Sequence, residues 1–159
     1  MTRKEQYNQL ILQIAGLIKD ETNLVGILAN VSAALHDAFP ERFFWVGFYL
    51  QENGNMLRLG PFQGSVACYV IPFGKGVCGK AWEEGRTLIV PDVEKFPGHI
   101  ACSSLSRSEI VVPMYDDSHT FRGVLDIDST RLNDFNEDDK EGLERIIELL
   151  MAETQDLFQ

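Results

Sequence analysis

Cations are scarce in this chain. Its 159 residues carry 14 Lys and Arg against 24 Asp and Glu, a formal net charge of −10. Such an acidic surface repels the phosphates of nucleic acid and the headgroups of anionic membranes, so neither partner is expected. Long apolar runs are missing as well: no stretch approaches the roughly 20 residues that a membrane-spanning helix needs. The N-terminal "MTRKEQYNQLILQIAGLIKDE" breaks its apolar residues with Gln, Asn and Lys at helical spacing. It reads as an amphipathic helix and not as an export signal, which points to a cytoplasmic protein. Cysteine is limited to Cys68, Cys78 and Cys102, and histidine to His36, His99 and His119. No C-x-x-C occurs, which excludes zinc ribbons and thioredoxin-type motifs; no metal and no bound cofactor are expected. The "GKGVCG" turn lacks the Gly-Lys-Ser/Thr ending of a phosphate-binding loop, and no G-x-S-x-G nucleophile motif occurs.

What is present suits one domain over residues 1–159, large enough to bury a core. Leu10, Ile14, Leu17 and Ile18 make one helical stripe; Leu24, Ile27, Leu28, Val31, Ala34 and Leu35 make a second. They predict helices over 3–19 and 23–38, the second capped by Thr22. "RFFWVGFYLQ" and "MLRLGPFQG" read as strands joined by an Asn-Gly hairpin turn, and "VACYVIPFGKG" as a third strand. "GVCGKAWEEGR" is a short helix closed by Gly85, and "TLIVPD" a short strand. "SEIVVPMYDD" and "TFRGVLDIDST" pair as a late hairpin. Asn136 caps a C-terminal helix whose buried stripe is Leu143, Ile146, Ile147, Leu150 and Met151. Strands that follow one another as hairpins, with helices at both ends, predict an α+β fold: an antiparallel sheet with the terminal helices on one face.

Three groups of residues could carry chemistry. Among the cysteines, packing as a small hydrophobe is the ordinary role. Cys102 departs from it, lying in a turn-rich loop between small and polar residues. Cys78 stands where a helix begins, a place that favours thiolate or the binding of an anion at free backbone N–H groups. Among the acids, Asp126 and Asp128 alternate with apolar residues in "GVLDIDST" and so share one sheet face, either solvated or lining a pocket. Glu109 opens the strand "SEIVVP", where a dry pocket could keep it protonated as an acid, unless it pairs with Arg107 or Arg122. Third, alternation along "FFWVGFY" sets Phe43, Trp45 and Gly47 on one face and Phe44, Val46 and Phe48 on the other. Large apolar residues on both faces mean that both are covered, and Trp45 could wall a pocket. A His99–Cys102 pair could activate the thiol, but the plain reading of His99 is a surface residue.

Taken together, "GKGVCGKAW", "ACSSLSRSEIVVP" and "GVLDIDS" resemble the free methionine-(R)-sulfoxide reductases, small members of the GAF fold, as does the spacing of the three cysteines. The resemblance covers nearly the whole chain. It implies a six-stranded antiparallel sheet flanked by helices. It implies an oxidoreductase of oxidative-stress defence that reduces free methionine-(R)-sulfoxide. Cys102 matches the family's attacking cysteine, Cys68 its resolving partner and Cys78 an accessory thiol. Glu109, Asp126 and Asp128 match pocket carboxylates, Trp45 the aromatic that holds the substrate methyl, and Tyr69 a neighbour of the pocket. By the same resemblance the oxidised enzyme carries a redox-active disulfide, and thioredoxin, fed by NADPH, supplies the electrons. The amphipathic terminal helices could also pair a homodimer. The rival reading is a GAF module that binds a small ligand or senses redox state without turning anything over.

Overall fold

The computed structural model describes residues 1–158. Helix α1 (Arg3–Ile18) begins where the Thr2 hydroxyl accepts the Glu5 amide at 3.1 Å, satisfying one orphan donor of the first turn. Helix α2 (Leu24–Ala38) is capped by Asn23, not by Thr22 as its sequence suggests. Thr22 and Asn23 both donate their backbone N–H groups to the Glu21 carboxylate. That turn leaves the Asn23 side chain to accept the Gly26 amide.

Strands β1 (Trp45–Glu52) and β2 (Met56–Gln63) form the predicted hairpin, with Gly54 at φ +81° in its turn. Strand β3 is only Val70–Pro72, much shorter than "VACYVIPFGKG" suggests. Pro72 has no N–H to extend a ladder, and residues 66–69 leave the sheet. Helix α3 (Gly76–Glu84) ends on Gly85 at φ +66°. Strand β4 (Leu88–Val90), a 3-10 turn (Val93–Lys95), strands β5 (Ser108–Tyr115) and β6 (Phe121–Ser129), and helix α4 (Glu137–Thr154) complete the chain. Asn136 caps α4 as expected, in a reciprocal box with Asp139. Among the described residues, no helix is long and apolar enough to cross a membrane.

The six strands make one sheet in the order β3-β2-β1-β6-β5-β4, antiparallel throughout. Their period-2 alternation divides the core into two layers. Val46, Phe48, Ile110, Val112, Leu125 and Ile127 pack beneath α1, α2 and α4. Trp45, Tyr49, Val111 and Val124 face the other way, toward Val77, Cys78 and Ala81 of α3. The α+β architecture with terminal helices on one face is therefore as the sequence predicts. Phe43 and Phe44 are exceptions to the expected alternation. Phe43 joins Val46 and Phe48 on the helix side, and Phe44 borders the Trp45 cluster. The ladder begins only at Trp45, so the strand's alternation does not extend back to them.

Two details bear on the site. On the helix side, the fully buried carboxylate of Asp139 is matched by two cations, Arg3 at 2.8 Å and Arg42 at 3.0 Å, and accepts the Tyr7 hydroxyl at 2.7 Å. On the α3 side, a Cβ at Gly47 would lie 2.3 Å from Phe62 Cβ and 2.9 Å from the Trp45 ring. Gly47→Ala is expected to cost about 1–3 kcal/mol through overpacking. A denaturant midpoint unchanged from wild type would show that Phe62 and Trp45 yield freely.

Candidate functional site

Strand register assembles the site. Trp45 of β1 pairs with Asp128 of β6, and Asp128 with Glu109 of β5. The three side chains form a row across neighbouring strands on the α3 face, about 4.5–5.5 Å apart at their Cβ atoms. Two residues along β6, Asp126 lies between Gly47 and Val111. Glu109 is 5 % exposed and Asp126 6 %, which rules out a solvated face; Asp128 is half-buried.

These acids lack the cations that Asp139 has. Arg122 is spent on Asp116 at 3.1 Å, and Arg107 is exposed, so neither expected partner reaches Glu109. Its nearest basic neighbour is His99, with Nε2 3.6 Å from Oε1. Among the described residues, no lysine or arginine lines the cavity. Charge buried without a counter-charge is expensive, so burial favours the protonated form of each acid. Burial, and then the charge of Asp128, push Glu109 up to about 8. Burial also raises Asp126 and Asp128, each further raised by the charge of a neighbouring acid.

Cys68 and Cys102 form a disulfide with their Cα atoms 5.4 Å apart, closing a sequence separation of 34. The aromatics of β1 hold the Cys68 segment over the acid row. Trp45 Nε1–H donates to the Ser65 carbonyl at 3.0 Å, and the Tyr49 hydroxyl to the Cys68 carbonyl at 3.1 Å. The loop after the 3-10 turn brings in Cys102 from the other side. Cys102, Trp45, Glu109, Asp126 and Asp128 all line one cavity.

Cys78 differs from its sequence reading. It does lie in the first turn of α3, but it is 2 % exposed, and burial followed by the charge of Asp126 push its thiol well up. It is a packed neutral thiol, not a thiolate: the carboxyls above it outweigh the helix start. Gly76 and Val77, before it, line the cavity, and the α3 start has no side-chain cap. Gly76, at φ +61°, lies against Ile100, where a Cβ would sit 3.1 Å from Ile100 Cγ1. Tyr69 is 76 % exposed and outside the cavity wall, so it does not join the pocket. The strand that would have turned it inward begins only at Val70, one residue after it.

Several cavity residues escaped the sequence reading, Tyr49, His99, Ser103 and Ser106 among them. His99, taken for a surface residue, is mostly buried against Glu109, and burial lowers its proton affinity. Ser103 and Ser106 also line the cavity. Their one sequence signal was proximity to Cys102. The spacing argument against metal ligands likewise missed a grouping that the fold creates: Cys78, Glu109 and Asp126 place one donor atom each within 4.8 Å of one another.

Residues 21–152 match the GAF domain family. A GAF domain-containing protein A of Dictyostelium discoideum is 56 % identical over 149 residues, covering 94 % of this chain and 92 % of its own. The free methionine-R-sulfoxide reductase of Saccharomyces cerevisiae is 43 % identical over 155 residues, 94 % of this chain and 86 % of the yeast protein. A crystal structure of the free methionine-R-sulfoxide reductase of Neisseria meningitidis in complex with its substrate superposes with a TM-score of 0.93 at 47 % identity. That likeness covers 98 % of this chain and 92 % of the bacterial one.

Proposed function

The chain belongs to the GAF domain family and to its branch of free methionine-R-sulfoxide reductases, and from that membership we propose that it is an oxidoreductase reducing free L-methionine-(R)-sulfoxide to methionine. The observation that carries the proposal is the shared cavity: Cys102 and the three acidic residues line one space walled by Trp45.

The chemistry needs both parts. A thiolate displaces oxygen from a sulfoxide only when that oxygen receives a proton. Cys102 attacks the substrate sulfur while Glu109, held protonated by burial, gives its proton to the oxygen. The sulfur–oxygen bond breaks as the oxygen passes to Cys102. Methionine leaves reduced, and Cys102 is left as sulfenic acid. Cys68 then condenses with the sulfenic acid, releasing water and forming the disulfide. Its two electrons are restored by a cytoplasmic dithiol protein, thioredoxin, through a mixed disulfide. Cys78 stays out of the attack and is at most a reserve partner in recycling. The whole chain, 1–159, acts as one domain with no bound cofactor.

Selectivity follows from the unmatched acids. The ammonium of a free amino acid supplies the cation that Asp126 and Asp128 lack, and its carboxylate meets the uncapped start of α3. A peptide-bound residue brings neither charge and adds chain at both ends, so it is rejected. Trp45 receives the methyl opposite the proton donor, which selects the R epimer.

Turnover coupled to NADPH through thioredoxin, with free R, free S and peptide-bound methionine sulfoxide in parallel, tests this. Only the free R form is expected to be consumed. Binding without consumption would instead favour a sensory module. Cys68→Ala is expected to release one methionine per chain and then stall with thioredoxin; steady cycling would transfer the resolving role to Cys78.

A further inference from the structure

We propose that Cys78, Glu109 and Asp126 form a binding site for a thiophilic divalent cation of the zinc class, and that this cation excludes the amino-acid substrate from the same cavity. The site extends beyond sulfoxide reduction, and its central test requires no turnover.

The donors come from three elements: Cys78 from the first turn of α3, Glu109 from β5 and Asp126 from β6. One ligand atom of each lies within 4.8 Å of the others, and all three residues are buried. Metal–sulfur bonds of about 2.3 Å and metal–oxygen bonds of about 2.1 Å give tetrahedral edges of about 3.5 Å, so modest rotamer shifts close the set. Asp126 adds an independent sign. Its Oδ1 is buried with no hydrogen-bond partner and belongs to a side chain that lines the cavity. A buried acceptor left open in a chamber without lysine or arginine is an invitation to a cation. His99, with Nε2 3.6 Å from Glu109 Oε1, stands where a fourth ligand or a supporting hydrogen bond is needed.

The donor set selects the ion. A thiolate beside two carboxylates and an imidazole suits zinc or cobalt, whereas magnesium and calcium take oxygen alone. The cavity of about 40 Å³ holds an ion with one or two waters. Binding forms metal–sulfur and metal–oxygen bonds, and the displaced protons pass to solvent. No electron moves, so no oxidant or reductant is required. An ion here occupies Asp126, a carboxyl that would receive the substrate ammonium, which makes metal and substrate competitors.

The disulfide form of the full chain isolates the site, because Cys78 is then its one remaining thiol. Cobalt chloride titrated into that form is expected to give one equivalent of a thiolate-to-cobalt charge-transfer band, erased by added zinc. Cys78→Ser is expected to abolish the band, and Asp126→Asn to weaken binding at least about tenfold. X-ray absorption of the zinc-loaded wild type keeps the test independent of how variants fold: one sulfur neighbour at about 2.3 Å is expected. Absence of the band, a zinc shell without sulfur, or full affinity in a folded Asp126→Asn would each overturn the proposal. Failure of the sulfoxide reading would leave these optical outcomes untouched.

Discussion

Cys102→Ser is expected to lose turnover by about a thousandfold or more, down to background, while keeping its fold. A hydroxyl in place of the thiol has neither the nucleophilicity nor the redox chemistry to accept an oxygen atom. Cys102 is half-buried in a loop, so in the reduced state the stability of the variant should lie within about 0.5 kcal/mol of wild type. The comparison has to be made with both proteins reduced, because the wild-type disulfide restricts the unfolded chain and adds stability of its own. Thiol counting separates roles: each methionine released should remove two thiols from wild type and none from the variant. Retained turnover would move the attack elsewhere. Cys78 is poorly suited to take it over, since burial, and then the charge of Asp126, raise the proton affinity of its thiol.

Glu109→Gln carries the second large effect, a fall of about 10²–10⁴-fold in kcat with KM changed far less, because a proton donor acts in the transition state. Asp126→Asn should show the opposite split, a raised KM with a smaller change in kcat. With a chelator present to remove metal, wild-type kcat should be level below pH 8 and fall above it, as Glu109, pushed up to about 8, loses its proton. The groups facing Glu109 are Asp126 and Asp128 from β6, Cys78 from α3 and His99 from the loop. The observed limb therefore belongs to the coupled set, and its loss in Glu109→Gln assigns it.

Stability gives a separate reading of the same group. The folded state binds the Glu109 proton more tightly than the unfolded state, whose value is near 4.5. Its contribution is complete below pH 4.5 and disappears as pH rises through about 8, at up to about 1.4 kcal/mol per pH unit. Glu109→Gln should flatten this slope and be the more stable protein above pH 8. An unchanged slope in the variant would mean that Glu109 is already ionised in the resting fold.

Much of this architecture was written in periodicity. The stripes of α1, α2 and α4 and the two hairpins announce themselves, because each buries one face and each turn carries its own residues. Local competition moved only details, such as Asn23 displacing Thr22 at a cap. Alternation placed Asp126 and Asp128 on one face, yet whether that face was wet depended on α3 covering it, a packing event no short window contains. The same holds for Cys78, whose helix-start position predicted a thiolate until its carboxyl neighbours were known. His99 was hidden for a related reason: its contact is with a strand ten residues on, reached through an irregular loop. Phe43 and Tyr69 went astray because the strands were read as longer than they are. The resemblance to a family, not spacing, suggested that Cys68 and Cys102 belong together.

The middle of the sheet has an implication for biosynthesis. Its two central strands, β1 and β6, come from opposite ends of the strand-bearing part of the chain, so their pairing is among the most non-local in the molecule and belongs to the slower class of folding events. A nascent chain emerging from the ribosome without residues 121–129 has the thiol-bearing segments but neither aspartate of the pocket. Competence to handle the oxidised amino acid therefore arrives all at once, when β6 joins the sheet, and a fragment arrested before it is an unguarded thiol carrier with no completed pocket.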